Sequence, residues 1–110
     1  MRIETENFKN AVVAKLDAPT LETENVGAFR SAIAPILERA DKVVLDLSSV
    51  SFMDSTGLGA MLSCLRSMKA KGGSMSVANL TPEVRRLFDL VMMDRVFEIH
   101  ADVDSAVASK

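Results

Sequence analysis

A chain of 110 residues with 13 Lys and Arg against 15 Asp and Glu carries a formal charge of −2, and that balance argues against a nucleic-acid partner. This length suits one domain, residues 1–110, burying about two-thirds of its unfolded surface without disulfides or metal. With 48% hydrophobic and 25% charged residues the composition is that of a globular protein, which excludes an extended disordered chain; the lack of Trp and Tyr removes the usual stacking platforms for single strands, five Phe notwithstanding.

A lone cysteine, Cys64, cannot close an intramolecular disulfide, and one histidine, His100, cannot build a His-rich metal site. No metal or cofactor is expected, and a reducing compartment fits. The opening MRIETENFKN alternates charge with single apolar side chains, unlike a signal peptide. No run approaches the ~18 apolar residues that span a bilayer. The expectation is a cytoplasmic protein without membrane insertion.

In chain order, Ile3 to Phe8 reads as an edge strand, and Asn10 to Leu16, centred on Val12-Val13, as its neighbour. Asp17-Ala18-Pro19-Thr20 reads as a turn. From Glu22 to Ala40, Val26, Phe29, Ile33, Ile36 and Leu37 fall on one helical face, with Thr20 or Thr23 as cap and Pro35 as a kink or division. Lys42 to Leu47 (KVVLDL) is a buried-type strand, followed by alternation that sets Val50 and Phe52 against Ser49 and Ser51. Leu58, Met61, Leu62, Leu65 and Met68 mark a second helix, which Gly72-Gly73 ends. Ser74 to Ala78 is a strand, Thr81-Pro82-Glu83 opens a third helix with Val84, Leu87, Phe88 and Val91 on its apolar side, Val96 to Ile99 is a last strand, and Asp102 to Ala108 a last helix. Alternation of this kind predicts an α/β fold in which crossover helices pack on a largely parallel sheet of about five strands with about four helices. One face of so small a sheet is expected to be less well covered. Met61 and Met68 belong to the core by spacing, Met92 and Met93 to core gaps or a soft apolar surface, and Cys64 to the edge of a buried stripe. Arg85-Arg86 reads as a solvated helix face or a partner contact, too small for a nucleic-acid patch.

The most informative segment is Phe52-Met53-Asp54-Ser55-Thr56-Gly57-Leu58-Gly59, where a strand end delivers two hydroxyls to a helix start. Asp54, Ser55 and Thr56 all suit a helix cap, and free helix amides favour an anion there. A capped helix alone needs only one such residue. A nucleotide cradle is disfavoured, because the Lys of a phosphate loop and the third glycine of a dinucleotide fingerprint are missing. A serine hydrolase lacks a base beside Ser55, and no enzymatic activity is expected. A hydroxyl phosphorylated by another protein needs no catalytic partner within the chain.

VVLDLSSVSFMDSTGLGAML followed by KGGSMSVANLTPEVRRLFDL resembles the anti-sigma factor antagonists of the STAS domain family, with Met53 to Gly59, Gly72-Gly73 and Arg86 to Asp89 matching in order and spacing. The resemblance covers most of the chain. It implies a single STAS domain whose unphosphorylated form binds an anti-sigma factor that is also a serine kinase of GHKL type. It further implies phosphorylation at Ser55, with Thr56 the fallback, and restoration by a PP2C-type phosphatase. The implied partner surface comprises Glu22, Asp54, Ser55, Thr56, Gly57, Leu58 and Gly59. A different-class alternative is a free-standing adaptor that regulates a membrane transporter through the same loop. Two departures stand out. Lys15-Leu16-Asp17 lacks the glycine of the family's Gly-x-Leu-Asp, leaving Asp17 or Glu22 as the acidic neighbour of Ser55, and Leu90-Val91-Met92-Met93-Asp94 replaces a glycine-containing turn.

Overall fold

The structure, a computed structural model, describes residues 1–109. Along them run β1 (Ile3–Asn7), β2 (Val12–Leu16), β3 (Thr20–Leu21), α1 (Val26–Arg39), β4 (Lys42–Asp46), β5 (Phe52–Met53), α2 (Ser55–Ala70), β6 (Ser74–Ala78), α3 (Pro82–Leu90), a 3-10 turn (Met93–Arg95), β7 (Glu98–His100) and α4 (Val103–Ala108). The main sheet has the order β1-β2-β4-β6-β7, antiparallel at β1–β2 and parallel thereafter. Parallel neighbours need crossovers, and α1, α2 and α3 supply them. This is the α/β class anticipated from the alternation of elements, with five strands in the main sheet and four helices among the described residues.

Successive strand residues point to opposite faces. Val12, Ala14, Leu16, Val43, Leu45 and Val77 join the main core with Phe29 and Ile33 of α1, Met61, Leu65 and Met68 of α2, and Phe88 of α3. Val13, Val44 and Ala78 face the other way, where the short α4 covers them with Ala106, Val103 and Val107. That is the thinly covered face. Lys42 Nζ donates to the carbonyls of Val107 (3.1 Å) and Ser109 at the end of α4. Lys71 Nζ does the same for α1 through Leu37, Glu38 and Ala40, an ammonium at a helix C-terminus being favourable.

Several boundaries move. α1 begins at Val26 rather than Glu22, and neither Thr20 nor Thr23 caps it. Asn25 folds back instead, accepting from the Glu22 amide (2.8 Å) and donating to the Thr20 carbonyl (2.7 Å). Pro35 neither stops nor divides α1. The carbonyl it deprives of an amide donor belongs to Ser31, and both residues are on the exposed side of the helix. α2 starts at Ser55, a turn earlier than its apolar stripe suggested. Thr20, assigned to a turn, pairs in β3 with β5 as a separate two-stranded parallel sheet. β7 begins at Glu98, and Val96 is exposed after the 3-10 turn.

α3 ends at Leu90, so Val91 leaves its apolar side and is 45% exposed. Met92 follows with φ +62°, while Met93 is buried. A left-handed residue just past a helix end is the position glycine fills best, and a side chain there costs about 1–2 kcal/mol. Met92 is 56% exposed and gives back little packing. Met92→Gly is therefore expected to stabilise the protein by about 0.5–1 kcal/mol once the entropy of an unfolded glycine is subtracted. Thermal unfolding would register this as a rise of a few degrees; an unchanged or lower midpoint would contradict it.

Candidate functional site

β4 ends at Asp46, whose carboxylate accepts from the Ser48 amide (3.0 Å), and the chain turns through Leu47–Val50 with the Val50 amide donating to Leu47 (3.0 Å). This turn sets the side-chain phase of β5. Val50 and Met53 go inward, and Phe52 is left 51% exposed, against the alternation expected from the sequence. β5 then draws the segment around β3 alongside the start of α2: the Ser51 amide donates to Pro19 (2.9 Å) and the Asp54 amide to Leu21 (3.4 Å).

Asp54 is the N-cap of α2. One carboxylate oxygen accepts from the Gly57 amide (2.9 Å), the other from both the amide (3.0 Å) and the hydroxyl (2.9 Å) of Thr23. These donors hold its pKa below the ordinary value, the Gly57 amide foremost and the Thr23 groups after it. The Thr23 and Thr56 hydroxyl oxygens are 3.2 Å apart. Ser55, at the first position of α2, is exposed, and its hydroxyl has no hydrogen bond among the described residues.

Gly57 and Leu58 turn inward, so they shape the expected surface without contributing side chains to it. Leu58 is 7% exposed in the core. A Cβ on Gly57 would lie 2.2 Å from the Leu21 carbonyl oxygen, whereas one on Gly59 would meet nothing within 4 Å. The outward-facing part of the motif is thus Ser55, Thr56, one side of Asp54 and the open flank at Gly59. Glu22 lies in the same electrostatic neighbourhood. Its carboxyl is held above the usual value, first by hydrogen bonding with Glu24, and Asp54 adds to the effect. Asp17 is engaged elsewhere, 3.7 Å from the Arg2 guanidinium.

Sequence reasoning missed two residues here. Thr23 is in sequence only one of two candidate caps for α1, and its bond to Asp54 spans 31 positions, so no local signal announces it. Phe52 shares a face with Val50 in the sequence alternation, and the structure separates the two. Cys64 is 5% exposed on the buried side of α2, and burial pushes its thiol up to about 11. No helix among the described residues is long and apolar enough to cross a membrane.

The model of the STAS domain family matches residues 2–106. The anti-sigma-B factor antagonist of Bacillus subtilis is 30% identical over 90 residues, which is 82% of this chain and 83% of that protein. A crystal structure of an anti-sigma factor antagonist from Mycobacterium paratuberculosis superposes with a TM-score of 0.84 at 23% identity, over 96% of this chain and 89% of that one. The fold also occurs within the murine anion transporter Slc26a9, with a TM-score of 0.78 and 21% identity over 93% of this chain but 18% of the transporter. With nearly the whole chain matched and the Asp-Ser-Thr-Gly segment at the start of α2, the protein belongs to the STAS domain family.

Proposed function

We propose that this chain is an anti-sigma factor antagonist operating in a phosphorylation-controlled partner switch. The unphosphorylated form binds an anti-sigma factor that is also a serine kinase of GHKL type, which frees the kinase's client. That kinase phosphorylates Ser55 and so ends the association, and a PP2C-type phosphatase restores it. The chain itself acts by binding; the chemistry belongs to its partners. The observation that carries this reading is the Ser55 hydroxyl, exposed at the first position of α2 and without a hydrogen bond among the described residues, beside an Asp54 carboxylate that already accepts from three donors. The name of the Bacillus subtilis relative points the same way.

The physics is local. A phosphoserine adds about −1.5 to −2 charge. In the free protein the first amides of α2 and solvent favour an anion at that point, so the fold tolerates it. Against a partner the same charge is desolvated, with Asp54, Glu22 and Glu24 nearby, and burial and repulsion both oppose it. A loss of ~3 kcal/mol weakens binding by roughly 150-fold, enough to reverse a competition.

The test is intact-mass and peptide mapping of the protein and Ser55→Ala after incubation with source-cell lysate and Mg-ATP, followed by capture of partners with each form. One phosphate on Ser55 that abolishes capture of a kinase, with Ser55→Ala unmodified and still binding, is the expected result. No phosphate, with transporter subunits captured instead, would replace this reading with the constitutive transporter adaptor.

A further inference from the structure

Ser55 and Thr56 are adjacent, both exposed, and both in the first turn of α2, so exposure does not choose between them as phosphoryl acceptors. Hydrogen bonding does. A hydroxyl has one proton to give. Thr23 gives its own to the Asp54 carboxylate at 2.9 Å. In the 3.2 Å contact between the two threonines, Thr56 must then be the donor. The chain of bonds has one direction: Thr56 hydroxyl to Thr23 hydroxyl to Asp54 carboxylate. The Thr23 amide at 3.0 Å and the Gly57 amide at 2.9 Å hold that carboxylate in place.

We infer that Thr23 selects the phosphoryl acceptor: by accepting the Thr56 proton it withdraws Thr56 and leaves Ser55 as the hydroxyl open to transfer. This rests on the reading of the α2 start as a phosphorylation site. In the transfer, the acceptor oxygen bonds to the γ-phosphorus of ATP as the bond to the β–γ bridging oxygen breaks. ADP leaves, and the hydroxyl proton passes to a base on the kinase. That base must reach the proton. On Ser55 it has no hydrogen-bond acceptor among the described residues, whereas on Thr56 it is turned toward Thr23, and using it means breaking the bond first. Among the described residues neither the Ser55 nor the Thr56 hydroxyl is hydrogen-bonded to Asp54, whose three donors are the Gly57 amide and the Thr23 amide and hydroxyl, so Asp54 is not placed to serve as their base. Thr23 is therefore a positioning residue acting through Thr56.

The test compares the wild type with Thr23→Val, Thr23→Ser, Ser55→Ala and the Thr23→Val/Ser55→Ala double variant, each incubated with desalted source-cell lysate and Mg-ATP and mapped by fragment mass spectrometry. Wild type and Thr23→Ser should carry phosphate on Ser55. Thr23→Val should raise the Thr56 share at least tenfold, equivalent to no less than ~1.4 kcal/mol. Ser55→Ala should stay unmodified, and the double variant should accept on Thr56. Rescue by Thr23→Ser separates the hydroxyl's role from packing, which would not redistribute phosphate between neighbours. Phosphate on Thr56 of the Ser55→Ala variant, with Thr23 intact, overturns the inference. So does a double variant that stays unmodified while Thr23→Val alone is phosphorylated on Ser55. Phosphate on none of the proteins, wild type included, instead removes the acceptor site itself, and this inference with it.

Discussion

Ser55→Asp is expected to weaken binding of the kinase partner by about tenfold, a ~1.4 kcal/mol loss, while the thermal midpoint stays within a few degrees of the wild type. The carboxylate carries one charge where phosphoserine carries nearly two, so the effect falls short of the roughly 150-fold expected of true phosphorylation. The two halves of the expectation have separate causes. Stability is preserved because an anion at the first position of α2 meets the positive end of a helix of 16 residues. Affinity falls because Asp54 is held ionised one residue away by the Gly57 and Thr23 donors. A new charge beside it therefore cannot be relieved by displacing the old one. Titration calorimetry with the captured partner, alongside thermal unfolding, measures both. Equal affinity would rule out an electrostatic switch, and a collapse of the midpoint would show that the site is coupled to the fold as a whole.

The second large effect concerns the two glycines of the motif, which look equivalent in the sequence and are not. Gly57→Ala places a methyl group 2.2 Å from the Leu21 carbonyl oxygen and 2.9 Å from its carbon, both backbone atoms without a rotamer to yield. The segment around β3 and the first turn of α2 must separate, straining the contacts from Asp54 to Leu21 and Thr23. Overpacking of this severity costs about 2–3 kcal/mol, or a fall of roughly 10–20 °C in a domain of this size. Gly59→Ala, with nothing within 4 Å of the new atom, should gain about 0.5–1 kcal/mol from helix propensity alone. Opposite signs from identical chemistry two residues apart form the signature; matched midpoints for the two variants would show that the close approach at Gly57 is relieved cheaply.

Much of this architecture could be read from the chain because the strands buried on both faces, such as Lys42–Asp46, are short apolar runs and the helices between them repeat at three and four residues. Terminal features depended on choices that periodicity does not encode. Asn25 displaced two threonines as the residue shaping the start of α1 because the Thr20 carbonyl and Glu22 amide were both within its reach. β3 and β5 have two residues each and exist only as a pair, so neither leaves a period to detect. Met92 ended α3 through a backbone conformation that its side chain does not advertise. At the site, capping chemistry local to α2 offered Asp54, Ser55 and Thr56 alike, and the structure makes Asp54 the cap. Thr23 escaped because its partner lies across the fold. Tertiary placement also sets the surroundings of Asp17 and Glu22, which local sequence does not announce: Arg2 lies beside the first, and Asp54 acts on the second.

The buried thiol of Cys64 gives the protein a built-in clock. At neutral pH a sulfhydryl pushed up to about 11 is almost wholly protonated, and at 5% exposure it is shielded from reagents. Since thiolate is the reactive species, and Cys64 lies at the groove between α1 and α2, an alkylating probe should mark the chain during excursions that part these two helices. The same helix carries Ser55 at its beginning. The pace of alkylation thus reports, without any engineered label, how often the element bearing the switch departs from its native seat, and whether a phosphate or a bound partner slows that departure.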